Sequence, residues 1–163
     1  MSKQKSITSI LKNTAENWPE SNQNISPEIL KIHRIHQHLQ QNLNKTVESY
    51  GLQPADFGAL ETLRKEPPPH CLSATELSQS MVFSSGGLTK LLNRITAAGF
   101  IERVDNPQDK RGKLVQLTEK GNALIGKVIV ELHQQEQTKM AFLSENEKAA
   151  LNVLLNKILD EWE

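Results

Sequence analysis

Basic and polar side chains are concentrated in the chain between residues 84 and 113. This segment carries six cations, at positions 90, 94, 103, 110, 111 and 113, against three anions at positions 102, 105 and 109. Its net charge is therefore +3, whereas the whole chain is neutral, with 19 basic and 19 acidic residues. Positive charge confined to one segment indicates a local surface that attracts phosphate, rather than a general polycation.

The side chains of this segment suit hydrogen bonding to a nucleic-acid duplex. Hydroxyl, amide and cationic groups can contact base edges in a groove or phosphate oxygens along the backbone. In a helix over this part of the chain, the apolar residues would form one face, and the polar residues between 84 and 94 would lie on the faces open to solvent or a ligand. The predicted contact residues are Ser84, Ser85, Thr89, Lys90, Asn93 and Arg94, followed by the basic residues Lys110, Arg111 and Lys113.

Two predicted helices would position the first part of this set. Ser73 and Glu76 have the spacing of a capping box, so the first helix is predicted to start there. The second is predicted to start near Ser84 or Ser85 and to end at Gly99, since glycine adopts a positive φ without strain. The apolar residues expected to face inward are Leu77, Met81, Leu88, Leu91, Leu92 and Ile95.

A hairpin is predicted directly after the second helix. Strand-like runs at 100–104 and 113–117 are separated by Pro107 and a charged tip at 108–112, a connection too long for a two-residue turn. A helix fits the major groove of a duplex, and a basic loop beside it can reach the next minor groove. The order of elements predicts a winged helix-turn-helix, in a mainly α fold with a small β-hairpin wing (α+β).

Further helices are predicted on both sides of this motif. They cover residues 27–49, 54–65 and 118–140 and the segment from 144 to the end of the chain. Their starts are marked by Ser26, whose side chain is expected to cap the helix that Pro27 opens, by Pro54, by Thr118, and by Ser144 with Glu147 three residues later. The proline run at 67–69 must end the second of these helices, because proline lacks the backbone N–H that a helix needs.

The outer helices carry apolar stripes that a lone winged helix does not require. We therefore expect residues 27–50 and 118–163 to form a helical dimerisation region about a two-fold axis, with residues 51–117 as the winged helix-turn-helix DNA-binding domain. Such a dimer would place its two recognition helices, the predicted helix ending at Gly99 in each chain, roughly 34 Å apart. Its operator is then expected to be a palindrome with half-sites about 10 base pairs apart.

Residues 1–26 are expected to form an N-terminal extension, because the segment is rich in asparagine, glutamine and serine. Two interpretations remain open for it. The extension is either partly disordered or forms one docked amphipathic helix. The apolar residues of that helix would be Ile7, Ile10, Leu11 and Trp18.

The central residues resemble those of the MarR family, the multiple antibiotic resistance regulators, which are dimeric transcription factors of bacteria and archaea. The resemblance rests on Ser84-Ser85-Gly86, on residues 91–103, on the wing at 105–112 and on residues 115–121. It implies that Arg111 enters the minor groove and that Asp109 orients Arg111. It also implies a homodimeric, sequence-specific DNA-binding transcriptional regulator, namely a repressor released by a small-molecule effector.

The same resemblance implies a small aromatic or phenolic effector in a cleft between the dimerisation helices and the winged domain. Residues 50–57, 60–64 and 67–69 look most like the urate-responsive PecS and HucR type, which also carries a tryptophan in an N-terminal extension. Gly58 and Leu91 depart from that branch, so a purine-like anion is not assumed. The candidate effector-binding residues are Trp18, His33, His36, Phe57, Arg64 and His70.

Other functional classes find little support in the sequence. Of His33, His36 and His38, only the first two share a helix face, so no metal site is expected, and no cofactor either. The chain has no nucleophile motif or glycine-rich phosphate loop, so it is not expected to be an enzyme. The remaining alternative is a winged-helix protein-interaction module without specific DNA binding, whose basic tip would contact an acidic partner.

Composition bounds the setting in which the protein would act. A length of 163 residues with 37% hydrophobic residues is enough for one aliphatic core. The sequence contains no apolar run of membrane-spanning length and no leader pattern, so no membrane partner is expected and the predicted location is the cytoplasm. The single cysteine, Cys71, excludes an internal disulfide.

Overall fold

The computed structural model describes residues 4–81, 87–107 and 112–163, which group into two compact units, Met1–Gly51 and Leu52–Glu163. The first unit consists of α1 (Ile7–Asn17), α2 (Pro19–Asn22) and α3 (Pro27–Ser49). The second contains α4 (Pro54–Lys65), β1 (Cys71–Ser73), α5 (Ala74–Ser80), α6 (Leu88–Ala97), β2 (Ile101–Asp105), β3 (Lys113–Leu117), α7 (Glu119–Met140) and α8 (Glu145–Trp162).

Helix α3 confirms the helix predicted for residues 27–49, although its start differs in one respect. Ser26 occupies the N-cap position but its side chain makes no capping hydrogen bond. The expectation of a capping hydroxyl was therefore wrong. The start depends instead on Pro27, whose fixed φ and missing N–H suit the first helical position.

The N-terminal segment contains two helices rather than one. Ser6 caps α1 by accepting a hydrogen bond from the backbone N–H of Ser9, and α1 packs against α3. Arg34 of α3 donates to the carbonyl oxygen of Lys5 at 3.0 Å, which ties the start of α1 to α3. Trp18 lies after α1 and is 63% exposed.

The three strands form one antiparallel sheet with the order β1-β3-β2. Strands β2 and β3 are the predicted hairpin, with Asp105 opposite Lys113 and Ile101 opposite Leu117. Strand β1 was not predicted. It pairs with the other edge of β3, with Cys71 opposite Gln116. A three-residue strand leaves almost no periodicity for sequence analysis to detect.

The core of the second unit is aliphatic, as predicted, and is organised around α4. This helix packs against α5, α6, α7 and β3. Its buried face contributes Phe57, Leu60 and Leu63, each at most 2% exposed. The other large side chains that are almost fully buried are Leu77, Leu92, Ile95, Ile101, Val115, Ile125 and Val128. Burial on this scale explains why an alanine- and leucine-bearing segment with Gly58 at its centre forms a helix.

Two capping boxes fix the starts of α5 and α8, as predicted. The hydroxyl of Ser73 accepts from the backbone N–H of Glu76, and the carboxylate of Glu76 accepts from the backbone N–H of Ser73. Ser144 and Glu147 repeat this reciprocal pair. Two otherwise unpaired N–H groups at each helix start are satisfied in this way.

These caps make stability depend on pH in a defined direction. The pKa of Glu76 is lowered from 4.5, mainly by the hydrogen bond with the Ser73 side chain and secondly by the one with the Ser73 backbone. The pKa of Glu147 is lowered in the same way, mainly by the Ser144 backbone and secondly by its side chain. The caps should therefore contribute fully above the ordinary pKa and lose their contribution as pH falls through the lowered value. In urea unfolding, the double variant Glu76→Gln/Glu147→Gln should lose less stability than wild type below about pH 5. The same loss in both proteins would contradict this assignment.

Candidate nucleic-acid interface

Helix α6 separates an apolar face from a polar one. Leu91, Leu92 and Ile95 are at most 3% exposed and pack into the core of the second unit. Thr89, Lys90 and Asn93 are exposed, and Lys90 and Asn93 are one helical turn apart. The helix has ten residues and is thus about 15 Å long, and the diameter of an α-helix fits the width of a major groove.

The start of α6 lies later in the chain than predicted. Its N-cap is Gly87, which has φ 80°, so the described helix begins at Leu88 and not near Ser84 or Ser85. A left-handed residue cannot continue a right-handed helix, and glycine adopts this conformation without steric cost. Five predicted contact residues lie outside the described residues, namely Ser84, Ser85, Asp109, Lys110 and Arg111.

The C-terminal end of α6 is held by the start of α7. Lys120 donates from Nζ to the carbonyl oxygen of Ala98 at 2.7 Å, and Nζ lies 5.0 Å from the ring centroid of Phe100. The hydroxyl of Thr118 donates to the carbonyl oxygen of Gly99 at 2.8 Å, and its backbone N–H donates to Phe100 at 3.0 Å. Carbonyl groups that would lack partners at the helix end are therefore satisfied, partly by a cation.

Arg94, in the last turn of α6, forms an ion pair with Asp56 of α4. Its Nε donates to both carboxylate oxygens of Asp56, at 3.0 and 3.1 Å, and its Nη2 donates to Oδ1 at 2.6 Å. The side chain of Asp56 is 3% exposed and that of Arg94 is 40% exposed. The predicted contact residue Arg94 is thus partly engaged within the protein.

The hairpin is buried at the end near α6 and α7 and carries exposed charged side chains toward its tip. Ile101 and Val115 are buried, whereas Arg103 and Lys113 are exposed. Lys113 pairs with the carboxylate of Asp105 directly across the two strands. This exposed pair tethers the ammonium group of Lys113 but is worth little in stability, because both groups remain hydrated.

A polar helix face and a charged hairpin therefore come from the same compact unit. Comparisons with known proteins show to which family the chain belongs. The family model described as MarR family matches residues 50–112. The multiple antibiotic resistance protein MarR of Escherichia coli K12 is 36% identical over 132 residues, which cover 78% of this chain and 88% of MarR. The chain belongs to the MarR family.

Two further MarR-family relatives cover most of this chain. The transcriptional regulator PecS of Dickeya dadantii is 32% identical over 116 residues, which cover 71% of this chain and 70% of PecS. A mutant MarR of E. coli, solved in complex with operator DNA, matches with a TM-score of 0.67 at 32% identity, covering 83% of this chain and 96% of that one. The predicted family and the predicted mainly α winged-helix fold are confirmed.

The candidate effector residues of this MarR-family chain lie in different environments. His33 and His36 are exposed on α3 in the first unit. Phe57 is 2% exposed within the core of the second unit, and the Nδ1 atom of His70 lies 2.6 Å from the carbonyl oxygen of Glu66. Arg64 is exposed at the end of α4. The effector assignment stays a prediction for all six residues.

Arg64 borders an open groove of about 570 Å³ along α7. The other residues lining this groove are Asn122, Ala123, Gly126, Lys127, Val130, Glu131 and Gln134. The lining thus combines two cations, a carboxylate and two amides with the small or apolar residues Ala123, Gly126 and Val130. The groove lies wholly within the second unit.

Two residues that hold the C-terminal part of α6 were not predicted, namely Asp56 and Lys120. A local signal existed for Asp56, because an acidic residue at the third position of a helix opened by Pro54 is typical of a capping box. Its pairing with Arg94 lies 38 residues away and leaves no local pattern. Lys120 follows the capping Thr118 by two residues, and its contact with Ala98, 22 residues earlier in the chain, leaves no local pattern either.

The described residues contain neither a metal-binding cluster nor a membrane-spanning helix. Within residues 4–81, 87–107 and 112–163, no group of three or more histidine, cysteine, aspartate or glutamate side chains could hold a metal ion. In that same portion of the chain, no helix is both long enough and apolar enough to cross a membrane. The lone Cys71 is half-buried in β1.

Proposed function

We propose that the protein is a homodimeric, sequence-specific DNA-binding transcriptional regulator. The observation that carries the proposal is the exposed polar face of α6, with Thr89, Lys90 and Asn93, beside a charged hairpin in a MarR-family chain. The relatives named above include a transcriptional regulator and a MarR solved with operator DNA. Residues 51–117 would be the DNA-binding domain, with the wing tip at 108–112 reaching the minor groove.

Dimerisation is proposed from apolar surface that single chains rarely leave in water. None of residues 145–162, which form α8, is buried, yet this helix carries six exposed large apolar side chains. They are Leu151, Val153, Leu154, Leu155, Leu159 and Trp162. On α3, Ile35 is 58% and Leu39 is 45% exposed. A two-fold interface built from residues 27–50 and 118–163 would cover these side chains.

We further propose that the protein is a cytoplasmic repressor released by a small aromatic or phenolic effector. The E. coli relative MprA is named a transcriptional repressor, and it is 31% identical over 130 residues. A dimer bound to a promoter would exclude polymerase from the site. An effector bound near Arg64 could change the spacing of the two recognition helices and so weaken DNA binding.

Selection from a random-site duplex library tests this function. The enriched sequence should be an imperfect palindrome with half-site centres about 10 base pairs apart, because each α6 would enter one major groove of two successive turns. Two chains should bind each selected duplex, as measured by sedimentation of the complex. Enrichment of no sequence, together with capture of acidic polypeptides, would favour a winged-helix protein-interaction module instead.

A further inference from the structure

The buried carboxylate of Asp56 connects the start of α4 to the exposed face of α6. Its Oδ2 accepts from the backbone N–H of Gln53 at 2.9 Å, and both oxygens accept from Arg94. A carboxylate that is 3% exposed is costly to bury unless its lone pairs are used, and these bonds use them. Asp56 therefore has a fixed position and a fixed direction.

Arg94 uses only one edge of its guanidinium group for this contact. The group carries five N–H bonds in one plane, and Asp56 occupies the edge formed by Nε and Nη2. The N–H bonds of Nη1 and the second N–H of Nη2 are not used by Asp56. These remaining N–H bonds form the outer edge of the group, and the side chain that carries them is 40% exposed.

Arg94 itself is an exposed residue on the polar face of α6. Lys90 precedes Arg94 by four residues and Asn93 adjoins it, so Lys90 and Arg94 lie one turn apart on the same side of the helix. Both Lys90 and Asn93 are exposed. A planar guanidinium held rigidly on one edge can offer the other edge to a phosphate in a single geometry.

We propose that Asp56 is a positioning residue for DNA binding, which holds the outer edge of Arg94 in the orientation that contacts a backbone phosphate. The inference rests on the proposed function. Asp56 itself touches no nucleic acid. Its carboxylate fixes the guanidinium before the duplex arrives, and this lowers the entropy that Arg94 loses on binding. The same contact fixes the rotation of α6 relative to α4.

For the variant Asp56→Asn, an effect of charge alone and an effect of Arg94 positioning predict opposite changes in affinity for the duplex. Removal of a carboxylate adds one positive charge near the duplex, so long-range electrostatics alone would tighten binding to a polyanion. Loss of the held geometry would instead weaken it. The sign of the change therefore separates a positioning residue from a charge that merely opposes DNA.

The experiment measures duplex affinity by fluorescence anisotropy for Asp56→Asn and for the matched control Glu61→Gln. Glu61 is a carboxylate on the same helix, paired with Lys65 at 2.8 Å rather than with α6. Asp56→Asn should bind about 10-fold more weakly than wild type, as expected for coupled residues in contact, whereas Glu61→Gln should bind at least as tightly as wild type. Thermal melts identify the folded fraction of each variant.

A further variant keeps the inference testable if Asp56→Asn does not fold. Arg94→Lys retains the charge but cannot occupy Asp56 and a phosphate with two edges of one plane. Arg94→Lys should lose as much affinity for the duplex as Arg94→Gln. Because Asp56 acts through Arg94, the double variant Asp56→Asn/Arg94→Gln should bind no more weakly than Arg94→Gln alone. Full affinity in Arg94→Lys would overturn the inference.

The remaining outcomes distinguish this inference from the function on which it rests. A folded wild-type protein that binds no duplex overturns the proposed function and the inference together. A wild type that binds, with Asp56→Asn binding as tightly as Glu61→Gln, overturns the inference alone. Weakened binding in Asp56→Asn with unchanged binding in Glu61→Gln supports it.

Discussion

Replacing Gly121 by alanine should unfold most of the second unit or cost about 3 kcal/mol of its stability, at the upper end of the usual range for overpacking. A Cβ atom at this position would lie 2.1 Å from the carbonyl oxygen of Phe100 and 2.9 Å from Leu117. The obstacle is backbone, so no side-chain rotation relieves it. That same carbonyl oxygen accepts from the backbone N–H of Thr118 at 3.0 Å, which resists its displacement.

The matched control for this substitution is Gly126→Ala in the same helix. A Cβ atom at Gly126 would meet nothing within 4 Å, and alanine has the higher helix propensity. This variant should therefore be more stable than wild type by about 0.5–1 kcal/mol. Urea unfolding followed by circular dichroism measures both changes. A Gly121→Ala protein as stable as wild type would show that the turn from α6 to β2 does not rest on α7.

Gly121 also shows how sequence and structure contribute differently to the same position. The residues 118–121 predicted the passage from the wing to a long helix, and α7 starts at Glu119 with the hydroxyl of Thr118 as its cap. That signal is local, since cap and capped N–H lie within one helical turn. The close approach of Phe100 to Gly121 is a tertiary contact, which no local pattern encodes.

The same distinction explains which elements could be predicted. Helix α4 begins at Pro54 and ends at Lys65, as predicted. Both ends could be predicted because Pro54 and the proline run at 67–69 restrict the backbone of the residues next to them. Strand β1 was missed, because its three residues are defined by pairing with β3 and not by their own sequence. Propensity alone cannot identify so short an edge strand.

The candidate site was predicted in outline but not in its internal contacts. Periodicity in α6 correctly separated buried Leu91, Leu92 and Ile95 from the polar face, because burial follows the helical repeat. The same periodicity placed Arg94 among residues facing solvent or a ligand. It could not show that half of the guanidinium is used by Asp56, since that partner lies in another helix.

Affinity for the operator should fall about 10⁴-fold when salt is raised from about 50 to 200 mM. The estimate takes about eight phosphates neutralised per dimer, each of which releases a condensed counterion, so log affinity should follow log salt with a slope near −7. The cations available in the described residues of the site include Lys90, Arg94, Arg103 and Lys113. The predicted wing adds Lys110 and Arg111 to each chain.

The protein's neutral overall charge makes this salt dependence diagnostic. With 19 basic and 19 acidic residues, the chain has no general attraction for a polyanion. A steep slope must then come from a localised cationic surface. Salt-insensitive binding would indicate contacts of another kind, as expected for an interaction module with a protein partner.

The most direct test of the account is a salt titration of binding to the DNA upstream of the protein's own gene, with wild type and Arg111→Ala compared. Wild type should bind tightly with a slope near −7. Arg111→Ala should remain dimeric, lose on the order of 1–3 kcal/mol of binding free energy and show a slope shallower by about two, because each dimer loses two arginines. A slope near zero for wild type, or equal affinity of the two proteins, would contradict a winged-helix DNA complex with its wing in the groove.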